Sequence, residues 1–257
     1  MPSRIARLLG RYLALLSILL SCAVHAGEPI TLRASDGGTV YGTLSRSGQD
    51  ASGGQADAIL LLFHQAGASR HEYDPLVPVL TKMGYDTLAI DQRSGDGLFG
   101  GRNETVEKRG GSADYLDALP DLEGALAWAK AHHYARIAVV GSSYSASLAI
   151  VLAARHPQDA AAVASFSPGE YFDDKDMVKR AAAKLTVPFY ITTRPEEEDK
   201  VEEVLRDAHG SNVTHYRQAA GVHGASTLVQ ARDPKGYAAN LRNFTDFLRR
   251  ALPPENP

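Results

Sequence analysis

Two rhythms of apolar spacing alternate along the chain. Residues 58–63 (AILLLF) are apolar throughout, with no polar face left for solvent, as a central strand of a parallel sheet covered on both sides requires. Further strand-like runs, less uniformly apolar, recur at 86–90, 137–140, 160–166, 187–192 and 213–217. Between them the apolar residues fall three and four apart, the spacing of one helix face. Residues 72–83 place Leu76, Val79, Leu80 and Met83 on one side, with Pro75 and Pro78 suited only to the first turns. Residues 114–131 carry Leu116, Leu119, Leu122, Leu126 and Trp128, and residues 237–251 carry Leu241, Phe244, Phe247 and Leu248. Further helices are expected after residue 143, within 171–184 and over 196–208. Ahead of this series, residues 30–34 and 39–44 alternate as two short strands around the turn signal Asp36-Gly37-Gly38. An antiparallel hairpin followed by alternating strands and helices implies a doubly wound, mostly parallel sheet with helices on both faces. Such sheets hold their sites at the carboxyl ends of the strands.

Two stretches depart from this rhythm. Residues 92–112 are polar and glycine-rich, and a connection of that length inside a domain is usually functional. Its Arg102 and Glu104, with Arg93, Asn103 and Arg109 nearby, are candidates for binding a polar or carboxylated part of a substrate, and equally for salt bridges within the loop. The other stretch is the N-terminus. Arg4, Arg7 and Arg11 precede an apolar run, Tyr12 to Leu20, too short to span a bilayer comfortably, and Val24-His25-Ala26 offers a small-x-small cleavage site. Residues 1–26 therefore read as a secretory signal, residues 27–252 as a single domain and 253–257 as a disordered tail. The protein is expected to be exported, periplasmic or secreted. The alternative is a lipoprotein anchored through Cys22, because Leu19-Leu20-Ser21-Cys22 has the form of a lipobox.

Removing residues 1–26 takes three arginines and no acid from 27 basic and 30 acidic residues, leaving 24 against 30 and a charge of −6. That balance argues against nucleic acid or an anionic membrane as partner. No membrane span is expected after processing. Cys22 is the one cysteine of the 257 residues, so the mature chain has no disulfide and depends on its core. His64 and His71 lack a partner at metal-ligand spacing, and no metal or other cofactor is expected.

The chemistry concentrates at 139–145, VVGSSYS. A buried strand stops at Gly141 and a helical segment begins three residues later, with Ser143 between two small residues, a relaxed nucleophile elbow. Ser142 would be flanked by Val140 and Tyr144, and Ser145 would lie a turn into the helix, so Ser143 is the candidate nucleophile. His223, in GVHGAS, has glycines at 221 and 224 that leave room for a ring entering from a loop.

Together with LLFHQAG (61–67) and VPFYITTRPEEED (187–199), these stretches resemble the α/β-hydrolase fold family, in particular its dienelactone-hydrolase-like and esterase-like serine hydrolases. The resemblance covers nearly all of the mature chain. It implies a three-layer fold and a nucleophile, acid and histidine in that chain order, here Ser143, an acid near 197 and His223. Alignment without gaps from Pro188 puts the acid at Glu197, a shift of one residue puts it at Glu196, and Asp199 is a further alternative. The oxyanion hole would use the backbone amide of Tyr144, and a second amide where the family's His-Gly-x becomes His64-Gln65-Ala66: that of Ala66, or alternatively of Gln65. The implied activity is hydrolysis of a small-molecule carboxylic ester through an acyl-enzyme. The alternatives are acyl transfer or peptide hydrolysis by the same groups, or an inactive binding protein on the same fold. The stretch between residues 166 and 184 is too short for a multi-helix cap, so a minimal lid is expected.

Overall fold

Strand β3 (Ala58–Phe63) is buried at all six positions, and its residues divide strictly by parity between two cores. Ile59, Leu61 and Phe63 enter one cluster; Ala58, Leu60 and Leu62 enter the other, the period-two consequence of strand geometry. A computed structural model of the chain describes residues 27–48 and 55–253. In it β1 (Glu28–Arg33), β2 (Thr39–Ser45), β3, β4 (Asp86–Asp91), β5 (Arg136–Ser142), β6 (Ala162–Phe166), β7 (Phe189–Thr193) and β8 (Val213–Arg217) form one sheet in the order β1-β2-β4-β3-β5-β6-β7-β8. The pairs β1–β2 and β2–β4 are antiparallel and every later pair is parallel. This is the expected three-layer α/β-hydrolase arrangement.

On the first face of the sheet pack α3 (Leu119–Ala131), α4 (Tyr144–Arg155), α5 (Met177–Ala182) and α6 (Glu198–Leu205), through residues such as Leu122, Leu148, Val178 and Val201. On the second face pack α1 (Val77–Lys82) and α7 (Tyr237–Ala251), through Leu80, Phe244, Phe247 and Leu248. Trp128 packs half-buried against the first core and stacks on His132, with centroids 3.8 Å apart. No helix among the described residues is long and apolar enough to cross a membrane.

Three expectations are corrected. The single helix over 72–83 is a 3₁₀ turn, Arg70–Tyr73, then a bend, then the six-residue α1 with a proline in its first turn. Pro75, which has no backbone N–H to donate, falls in the break, and Pro78 is accommodated in the first turn of α1, where no N–H is required. The connection 92–112 contains α2 (Glu104–Arg109), started by the Asn103 side chain accepting from Val106 N–H (2.8 Å) and ended by Gly110 at φ 88. The acidic run after β7 opens with a 3₁₀ turn, Pro195–Glu197, before α6 begins. The expected signal, residues 1–26, and the expected tail, 253–257, apart from Pro253, lie outside the described residues.

Candidate active site

The chain turns from β5 into α4 at Ser143, which adopts φ 59 and ψ −124, a conformation L-residues rarely hold. Gly141 makes the turn possible: a Cβ there would lie 2.2 Å from the Ser145 carbonyl oxygen and 2.6 Å from Ala146 Cα. The sharp corner lifts the Ser143 side chain clear of the strand at the start of α4, where the Tyr144 N–H has no carbonyl one turn behind it.

The Ser143 hydroxyl donates to His223 Nε2 (2.8 Å), and His223 Nδ1–H donates to Glu197 Oε2 (2.7 Å). A carboxylate only accepts, so the proton belongs on Nδ1, and the Nε2 lone pair faces the serine. Glu197 is buried, and its carboxylate also meets Lys200 (3.1 Å), Arg194 (3.2 Å) and the Thr193 hydroxyl (3.4 Å). Of the other acids in the run, Glu196 and Asp199 are exposed to solvent, and Glu198 pairs with His215 and Arg217. Such a line can draw the proton from a hydroxyl, stabilise the imidazolium that results and return the proton to a leaving group.

The turn after β3 is organised by His64. Burial drives its pKa down to about 4, so the ring is neutral; Gln92 N–H donates to Nε2 (3.1 Å), and Nδ1–H donates to the Gln65 carbonyl (2.9 Å). Ala68 N–H donates to the same carbonyl (3.2 Å). In a trans peptide the N–H points opposite to the C=O, so the Ala66 amide faces away from the His64 ring. Among the described residues it has no hydrogen-bond partner, whereas the Gln65 amide is committed to Glu72 Oε2 (2.7 Å). Gln65 also keeps an ordinary negative φ, which explains why this position does not need the family's glycine.

Residues 54–239, more than half of the chain, match the sequence model of the family described as Serine aminopeptidase, S33. The chain belongs to this family. No curated protein matches the S33 chain in sequence. In structure it is similar to an esterase of Pyrococcus furiosus, with 17% identity, TM-score 0.66 and 88% of this chain and 90% of that one covered. It is also similar to a dienelactone hydrolase of Anabaena variabilis, with 19% identity, TM-score 0.63 and coverage of 88% and 99%. A third neighbour is a Xanthomonas campestris serine hydrolase described as being without a lid, with 15% identity, TM-score 0.63 and coverage of 91% and 98%. Identities this low show the shared fold alone.

Arg102 and Glu104 are not joined to the serine of the S33 chain by any hydrogen bond or ion pair among the described residues. Arg102 is 80% exposed and pairs with Glu107, and Glu104 pairs with Arg70 (3.4 Å). Both line a separate cavity of about 320 Å³ with His71, Asp74 and Phe99. Sequence reasoning missed three polar residues that do surround the site. The Tyr171 hydroxyl, pushed up to about 12 by burial and by the Glu197 charge, donates to the Ser167 carbonyl (3.0 Å) and lies within hydrogen-bonding reach of Ser143. Ser167, at φ 58, places its hydroxyl against Gly224 N–H (2.9 Å). Glu72, buried on the 3₁₀ turn after β3, holds both Gln65 N–H and the Ser142 hydroxyl. Nothing in local sequence singles these out; only the sheet brings them together.

Proposed function

We propose that this S33 α/β hydrolase cleaves carboxylic esters through an acyl-enzyme. Ser143 attacks the carbonyl carbon and His223 takes the hydroxyl proton at Nε2. Glu197 holds the ring and balances its charge. As the tetrahedral intermediate collapses, His223 gives that proton to the departing alcohol; it then activates water to release the acid. The Tyr144 and Ala66 amides are the oxyanion donors in this reading. The observation that carries it is the unbroken Ser143–His223–Glu197 line, with 2.8 Å and 2.7 Å contacts at a strained elbow. Between β6 and β7 there is one six-residue helix, α5, and no multi-helix cap, which favours an open cleft and a small or extended substrate.

The test is labelling by a fluorophosphonate probe and turnover of a short-chain nitrophenyl ester, in wild type and in Ser143→Ala and His223→Ala. Wild type is expected to be labelled and active, and Ser143→Ala to take no label. An unlabelled wild type, or a Ser143→Ala protein labelled as strongly, would refute the reading. The family's description names an aminopeptidase; turnover of amino-acid nitroanilides in place of esters would move the reading to peptide hydrolysis. Export is part of the same proposal. The intact mass of the processed protein is expected to correspond to a chain starting at Gly27, and a lipidated Cys22 at the N-terminus would replace that with membrane anchoring.

A further inference from the structure

Two consecutive amides follow His223, and each is held by a serine hydroxyl from the end of a different strand. Gly224 N–H donates to Ser167 Oγ just after β6, and Ala225 N–H donates to Ser142 Oγ at the end of β5, both at 2.9 Å. The first serine leads back to the acid already described, since the Thr193 hydroxyl contacts both Ser167 Oγ (3.1 Å) and Glu197 (3.4 Å). The second leads to a different carboxylate. The Ser142 hydroxyl donates to Glu72 Oε1 (2.8 Å), and Glu72 Oε2 accepts Gln65 N–H (2.7 Å). Glu72 is 1% exposed and Ser142 0%. One buried side chain therefore touches the turn after β3 and the residue just before Ser143, and through that residue it reaches the loop that carries His223.

The direction of this chain of bonds depends on its last member. Ser142 has one proton; while an acceptor-only carboxylate takes it, the oxygen lone pairs are free for Ala225 N–H. A Glu72 that turns a donor, the O–H of its acid form or the N–H of an amide, toward Ser142 would leave the Ser142 proton without its acceptor, and one that turns it toward the β3 turn would set it against Gln65 N–H. A Cβ on Gly224 would lie 2.4 Å from Ser142 Oγ, so the loop sits directly against the hydroxyl and a reorientation is felt there.

Resting on the hydrolase reading above, we propose that Glu72 is a positioning residue of the site. In its ionised form it orders Ser142, and through Ser142 the loop that presents His223 to Ser143, while its second oxygen sets the Gln65–Ala66 turn. Two titratable groups face it. The Arg232 guanidinium, from the segment ahead of α7, donates to the Glu72 backbone carbonyl (2.8 Å) and favours the carboxylate by its charge, and the Tyr73 phenol lies on Glu72's own turn. Burial nevertheless pushes the Glu72 carboxyl up to about 7, against the Gln65 and Ser142 hydrogen bonds and the Arg232 charge. Its two states thus exchange near neutral pH.

The experiment is steady-state ester hydrolysis by the full chain as wild type, Glu72→Gln, Glu72→Asp and Ser142→Ala, with active sites counted by complete fluorophosphonate titration. Counting sites removes any unfolded fraction, and Ser142→Ala, which deletes one oxygen, keeps the test alive should Glu72→Gln fold poorly. For Glu72→Gln and Ser142→Ala, kcat per titrated site is expected to fall about 10- to 100-fold, the worth of a hydrogen bond to a charged group, with KM little changed. Glu72→Asp, which keeps the charge, should recover part of the loss. On the acid limb, kcat/KM of the wild type should drop by an additional step of about 10- to 100-fold as the pH falls through about 7 and Glu72 takes up its proton, a step that Glu72→Gln should lack. A labelled, active wild type with variants that match it in kcat and in acid limb overturns this proposal alone. An unlabelled wild type overturns the hydrolase reading and this proposal with it.

Discussion

At Glu197 two opposing effects meet: burial by itself raises the carboxyl, and the hydrogen bonds from His223 and Lys200 outweigh it and hold the group below its ordinary value. Glu197 is thereby kept as an acceptor-only carboxylate, the state that pins the His223 proton on Nδ1. Glu197→Gln keeps the shape and loses that constraint, because an amide N–H turned toward the ring would select the wrong tautomer. Its kcat on a nitrophenyl ester should drop by about 10²- to 10⁴-fold. Glu196→Gln and Asp199→Asn, both at solvent-facing positions, should stay near wild type. An active Glu197→Gln beside a collapsed neighbour would transfer the role of acid. Counting without gaps from Pro188 points to Glu197 but leaves Glu196 and Asp199 open, because the 3₁₀ turn Pro195–Glu197 decides which acid of the run points inward. The hydroxyl and the imidazole were legible for the opposite reason: of the three serines in 142–145 only Ser143 combines small residues two places to either side with a position at the strand-to-helix corner, and His223 is the one histidine of its glycine-flanked stretch, 221–226.

Among the elements, the β5–α4 corner is the one with the least freedom. Its strain at Ser143 is tolerated only because the Gly141 hydrogen leaves room for the first turn of α4, whose Ser145 carbonyl oxygen would lie 2.2 Å from a Cβ. Gly141→Ala forces backbone apart inside a packed core, so a loss of about 3 kcal/mol or more in urea unfolding is expected, with fluorophosphonate labelling falling in parallel. Gly67→Ala makes the contrast. That glycine has φ 70 with nothing within 4 Å of a Cβ, so its cost is confined to left-handed backbone, about 1–2 kcal/mol. Equal losses at the two sites would mean that crowding does not shape the elbow. The strands were readable because burial on both faces leaves continuous apolar runs such as Ala58–Phe63. The breaks at Pro75 and Asn103 were not, since a bend after a 3₁₀ turn and a two-turn helix inside a polar loop barely disturb the apolar spacing.

For the molecule as a whole, the two groups buried behind the site pull its stability in opposite directions with pH. His64 has its pKa lowered by burial from 6.5 to about 4, so the unfolded chain binds more protons than the folded one between those values, and stability rises with pH through that window. Glu72 has its pKa raised by burial from 4.5 to about 7; here the folded chain binds more protons, and stability falls as pH rises through the window. From 4.5 to 6.5 the two slopes cancel, each worth about 1.4 kcal/mol per pH unit. Glu72→Gln removes only the falling slope. Measured by urea unfolding, the variant should therefore gain on wild type by about 3 kcal/mol between pH 4.5 and pH 7, with a constant gap outside that window. A gap that is the same at both ends would mean that burial does not raise Glu72 in the folded chain. Other titrating groups act alike in both proteins and drop out of the difference. A gain in stability paired with a loss in turnover would show the carboxylate to be kept in the core for the order it imposes on Ser142 and the His223 loop, at a cost to the fold.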